Sequence, residues 1–220
     1  ELKNPQGFYS TLSIPVMVMI YNNESVPESS APKTFKELTE ARWKNKVTTG
    51  SPLASGTTFT TVAMLQDKYG WEYLQSLRKN ELIAQGGNSS VISRVQNKER
   101  PVGVVLLENV LRFQDTDKRL KIVYPNDGVI LQSNVVAITK KDGKREAAQK
   151  VVDWMYGKDG QEAMVHSYMY SPLLKYDPPK GAPKFDQLQT KNFAWTNEFI
   201  EKTVKSRTEI KEKFAEIMYQ

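Results

Sequence analysis

Two stretches of this chain gather small hydroxyl and amide residues where they can hold an anion. The first, SPLASGTTF at 51–59, places Ser51, Ser55, Gly56, Thr57 and Thr58 just ahead of an apolar helical pattern. The second, AQGGNSSVISRV at 84–95, repeats the arrangement with Gly86, Gly87, Asn88, Ser89 and Ser90. Each stretch reads as a strand-to-helix turn, where the first backbone N–H groups lack an intrahelical partner and the helix dipole adds positive charge. Hydroxyls and the Asn88 amide add donors beside them, and the glycines let a ligand approach the backbone. Such turns seat phosphate, sulfate or carboxylate. Singly, each is also an ordinary N-capped helix. A third turn, LLEN at 106–109, contributes Glu108, which repels a phosphate but accepts hydrogen bonds from sugar hydroxyls.

Composition removes most other chemistry. The 220 residues contain no cysteine and one histidine, His166, which excludes disulfides, thiolate zinc sites and cysteine nucleophiles and leaves little for a triad. No lysine follows the glycine of SPLASGTTF and no acidic pair flanks either turn, so a phosphotransferase or phosphatase lacks its machinery. The expectation is a binding protein and not an enzyme, with no cofactor and no metal. The net charge of +6 is spread over helix faces where acidic residues interleave. That pattern fits a small anionic ligand and no nucleic acid. The longest apolar run, SIPVMVMIY, contains Pro15 and is of strand length. The opening, ELKNPQGFY, is compatible with a leader removed upstream.

The elements that must present these turns alternate. TLSIPVMVMIYNN reads as one buried strand, TFKELTEARW as a short helix capped by Thr34, KVTTG as a strand and 58–69 as a helix. A second helix, GWEYLQSLRKN, precedes strand ELIAQGG, helix SSVISRVQNKE, strand VGVVLLEN and a short helix near VLRFQDT. This alternation predicts a mainly parallel sheet flanked by helices, and ligands bind beyond the carboxyl ends of such strands. The three turns share that edge. Arg94, further along its helix, is expected to face solvent. Beyond residue 120, two strand-like runs flank the turn PNDG, a helical stretch breaks at Gly157 and Gly160, and an amphipathic helix runs from about Trp195 to Ile217.

In APKTFKELTEARWKNKVTTGSPLASGTTF, GGNSSVISRVQNKERPVGVVLLENV and VYPNDGVILQSNVVAITKK, the chain resembles the extracellular solute-binding proteins of bacterial ABC importers. The branch is the one holding ferric-iron and hexose-phosphate binders. The resemblance implies an α/β fold of the type II periplasmic-binding-protein kind, with ligand held between two lobes. It implies a complete second lobe at 35–122, with hinge strands and the later part of the first lobe at 1–34 and 123–220. The lobes would close about strands near 14–22 and 120–125. The family's opening α/β segment is missing from these residues, which invites self-association or a complementing N-terminal segment. Where ferric binders carry two adjacent tyrosines, this sequence reads Leu106-Leu107-Glu108-Asn109, which favours a phosphorylated metabolite over iron. The expected seat is Ser55, Gly56, Thr57 and Thr58 with Gly87, Asn88, Ser89 and Ser90, closed at the side by Ser51, with Glu108 on the sugar. The implied partner is an ABC permease or a membrane sensor kinase, and the implied location is periplasmic or extracellular, with lipid anchoring through a removed segment as one form.

Overall fold

Pro15 divides the first apolar run. A computed structural model describes residues 6–140, 143–173, 175–188, 190, 193 and 195–220, so the chain's opening ELKNP lies outside the described residues. In it, the run expected as one strand becomes β1 (Ser10–Ser13) and β2 (Val16–Asn22) in two different sheets. Proline has no N–H for the ladder, so a break there costs no hydrogen bond. The chain continues through β3 (Val47–Thr49), α1 (Gly56–Tyr69), α2 (Trp71–Lys79), β4 (Ile83–Ala84), α3 (Asn88–Gln96), β5 (Val102–Leu106) and α4 (Leu107–Leu111). Then follow β6 (Leu120–Val123), β7 (Ile130–Leu131), β8 (Asn134–Val136), α5 (Arg145–Tyr156), α6 (Lys158–His166), α7 (Asn197–Lys205) and α8 (Arg207–Tyr219).

The contacts divide the chain into two units, Glu1–Pro15 with Gln132–Leu188, and Val16–Leu131 with Gln189–Gln220. These boundaries differ from the sequence expectation: 16–34, 123–131 and the C-terminal helices group with 35–122. The reason lies in packing. Ile210, Phe214 and Met218 of α8 are buried in the same core as Leu74 and Leu77 of α2, and Phe193 meets Phe35 edge-on at 5.9 Å.

In the larger unit the sheet runs β4-β3-β5-β2-β6, with β7 also on β2. β3 pairs in parallel with β4 and β5, while β2 runs antiparallel to β5, β6 and β7. The sheet expected to be mainly parallel is therefore mixed, with β2 as its one reversed interior strand. All seven residues of β2 are buried, as a strand covered on both faces requires. Its one strongly polar member, Asn22, is satisfied: Nδ2 donates to Val95 O at 3.0 Å and Oδ1 accepts from Glu24 N.

Other details also differ from the sequence reading. TFKELTEARW forms two 3₁₀ turns, Lys36–Thr39 and Ala41–Trp43, with Thr34 Oγ1 accepting from Glu37 N at 3.1 Å. β6 and β7, on either side of PNDG, both join β2 and are not paired with each other. The smaller unit pairs β1 with β8 and carries α5 and α6, which break at Gly157 alone; Gly160 lies inside α6. The final helix is two, divided at Ser206.

Candidate functional site

Register brings the turns together. Thr49 pairs with both Ala84 and Val104 in the parallel ladders, so β3, β4 and β5 end on one rim. Beyond the ladders, Ser51 N donates to Gly86 O at 2.8 Å, which ties the first turn to the second. Gly86 holds φ +70°, a left-handed conformation that glycine takes without strain. Gly50 is required for a different reason: a Cβ there would lie 2.6 Å from Thr58 Oγ1 and 3.2 Å from Gly86 O.

Asn88 joins all three turns. Its Oδ1 accepts from Leu106 N at 3.1 Å and its Nδ2 donates to Thr57 Oγ1 at 3.3 Å. Thr57 Oγ1 lies 3.0 Å from Ser55 Oγ, which caps α1 by accepting from Thr58 N at 3.3 Å. The end of β5 and the first turns of α1 and α3 thus share one hydrogen-bond network. The second Nδ2 hydrogen of Asn88 remains unspent, as do the backbone N–H groups of Gly56, Asn88 and Ser89 among the described residues.

The remaining sequence-selected residues divide. Gly87 is the N-cap of α3, with extended backbone. Ser89 is exposed, and Ser90 packs its hydroxyl against Gly86. Thr58 is 1% exposed and its Oγ1 has no hydrogen-bond partner, an orphaned hydroxyl between the first two turns. Ser51 is buried and already engaged, with Oγ accepting from Leu53 N at 3.2 Å and lying 3.1 Å from the Tyr219 hydroxyl. Glu108 sits in the first turn of α4, not at a strand end, and is half-buried; burial pushes its carboxyl up, with Arg112 opposing. Leu106 and Leu107 are buried core.

Sequence reasoning placed Arg94 in solvent. Its guanidinium instead donates to Gln85 O at 3.0 Å and Thr48 Oγ1 at 3.3 Å, so it clamps β3 to the loop after β4. Tyr219, Arg207 and Lys211 were missed because they reach this region from the C-terminal helices, about 150 residues away in sequence. Gly50 carried a legible signal as a glycine directly before the first turn. Among the described residues no three His, Cys, Asp or Glu side chains are placed to hold a metal ion.

The α/β sheet thus ends in helix N-termini on one rim, with donors unspent among the described residues. The chain belongs to the bacterial extracellular solute-binding protein family, whose model matches residues 1–202. It is 21% identical over 184 residues to a probable ABC transporter periplasmic-binding protein, y4fP, of Sinorhizobium fredii, a match covering 79% of this chain and 51% of that one. The chain thus spans about half the length of that relative. Its fold is similar to AfuA of Actinobacillus pleuropneumoniae, solved with fructose-6-phosphate, at TM-score 0.82 and 18% identity over 98% of this chain and 70% of that one. It is similar also to iron-bound HitA of Pseudomonas aeruginosa, at TM-score 0.81 and 16% identity over 96% and 71% of the two chains. The type II periplasmic binding fold is common to this chain and the two solved structures, and the family is one of transport proteins, not enzymes.

Proposed function

We propose that this chain is the ligand-binding part of a periplasmic solute-binding protein of an ABC importer, and that its cargo is a phosphorylated metabolite of hexose-phosphate size. The observation that carries the reading is the Asn88 bridge, which brings the first turns of α1 and α3 together with their N–H groups unspent. Two helix N-termini attract the same anion, and charge-assisted bonds from neutral donors are worth about 1.5–3 kcal/mol each. Several of them support micromolar binding with no arginine in the seat. Ser55, Gly56, Thr57, Asn88, Ser89 and Ser90 hold the phosphate in this reading, and Glu108 accepts from the sugar hydroxyls.

The fructose-6-phosphate complex of AfuA lends support to the ligand class. Iron, the cargo of HitA, is less favoured, because Leu106 and Leu107 offer no oxygen and lie in the core. A sensor that reports to a membrane kinase would use the same seat and differ only in its partner. No helix among the described residues is long and apolar enough to cross a membrane, so contact with either partner falls to a protein surface or to an anchor.

Native mass spectrometry of the protein as purified, followed by calorimetry with fructose 6-phosphate, fructose, inorganic phosphate and ferric citrate, tests the reading. The expected result is a retained or added phosphate ester, with free fructose bound at least tenfold more weakly. Tight binding of ferric citrate that no phosphate ester displaces would overturn it.

A further inference from the structure

A groove of about 400 Å³ runs beside the first turn of α1, between Pro52–Gly56 and the elbow of α7 and α8. Its apolar lining comes from Pro52, Leu53, Phe59 and Val204, and two of these are unusually open: Leu53 is 49% and Val204 67% exposed. The elbow forms because Ser206 leaves the helical conformation, at φ −94° and ψ 13°, between α7 and α8. Beyond it, Arg207 and Lys211 stand one turn apart on α8, with their charged ends 6.0 and 5.7 Å from the Phe59 ring centroid. Both line the groove, and neither forms an ion pair among the described residues.

We propose that this groove is a docking surface for a segment of the importer's membrane-spanning subunit that presents a carboxylate beside an apolar side chain. Exposed aliphatics beside arginine and an aromatic ring are the composition of an interface centre. Charge complementarity fixes the partner's sign, since Arg207 and Lys211 call for an acidic group. A small anion alone gives Leu53 and Val204 no reason to be open. The groove also shares Ser55 with the Asn88 network, so a partner docked here touches the turn assigned to the ligand. The inference rests on the importer reading above.

The test is surface-based binding of the ligand-loaded protein to its cognate importer in lipid nanodiscs, with ligand affinity and thermal unfolding measured alongside. Val204→Glu and the double variant Arg207→Glu/Lys211→Glu should each dock at least tenfold more weakly with unfolding unchanged, and the exposed Val204→Glu should keep ligand affinity within twofold. Converting the partner's acidic residue to lysine should restore docking of the double variant. Equal docking by parent and variants overturns the surface alone. Loss of ligand affinity with docking intact also overturns it and assigns the groove to the ligand seat. A parent that docks on no importer refutes the importer reading, and this partner with it.

Discussion

The Tyr219 hydroxyl lies 3.1 Å from Ser51 Oγ and 2.5 Å from the carbonyl oxygen of Ala84. A carbonyl only accepts, and the Tyr219 hydroxyl is the donor on both sides, its one proton shared between Ala84 O and Ser51 Oγ. Leu53 N–H in turn donates to Ser51. The buried Ser51 oxygen therefore accepts twice, from the Leu53 N–H and from Tyr219, and is engaged inside the protein and not toward a ligand. Its role is to hold the end of α8 against the rim. Ser51→Ala should lower stability by about 1–3 kcal/mol in urea titrations, because it leaves the Leu53 N–H without its acceptor. It should leave phosphate-ester affinity within twofold. A variant of parental stability that bound ligand tenfold more weakly would return Ser51 to the seat.

Asn88 allows structure and charge to be separated. An aspartate there keeps an oxygen for Leu106 N–H and sits well at a helix N-terminus, but it loses the Nδ2 donor and adds a negative charge. Asn88→Asp should unfold within about 1 kcal/mol of the parent, the size of one net hydrogen bond. Its affinity for fructose 6-phosphate should fall more than tenfold, read by calorimetry, with the loss smaller in high salt. Undiminished affinity would remove the phosphate from this turn.

The rim itself was legible in the sequence, because strand-to-helix turns at 50, 86 and 106 follow from the alternation of elements and from local residue types. What those residues do once there was less legible. Ser51 looks like a ligand contact until Tyr219 is seen to occupy its oxygen, and Arg94 looks exposed until Thr48 and the Gln85 carbonyl fold over it. Both depend on contacts between distant segments, which local pattern does not encode. The place of α8 was hidden for the same reason: Phe214 and Ile210 set it in the core around α2, while their periodicity says only that the helix buries one face. The central antiparallel β2 was hidden because an all-apolar run reads alike in either direction.

Thr58 and Gly50 form a coupled pair. The buried Thr58 hydroxyl has no partner, so Thr58→Val, of equal size, should be neutral or stabilising by up to about 1 kcal/mol. Gly50→Ala should destabilise by about 1–3 kcal/mol through overpacking against that side chain and the Gly86 carbonyl. Adding Thr58→Ala should recover part of that loss, since it removes the nearer obstacle. Denaturant unfolding of the four-member cycle measures the coupling. If Thr58→Val instead weakens ligand binding tenfold at unchanged stability, the orphaned hydroxyl is a ligand contact.

Away from the seat, Asp117 gives the unit a defined acid sensitivity. Its carboxylate accepts from the Arg119 side chain at 2.9 Å, from the Arg119 N–H at 3.1 Å and from Gln96 Nε2 at 3.0 Å. The Arg119 guanidinium is the largest influence and holds the group at about 2, below the ordinary 3.8. A carboxyl whose folded value is depressed contributes stability that is complete above its unfolded value and is lost as pH falls through the folded one. The contribution should therefore be full at pH 6, begin to fade near pH 4 and be gone below pH 2. Asp117→Asn should be less stable than the parent at pH 6, and the gap should close as unfolding is followed down to pH 2. A gap that stayed constant across that range would mean that the Asp117 contacts stabilise the fold through geometry alone and not through charge.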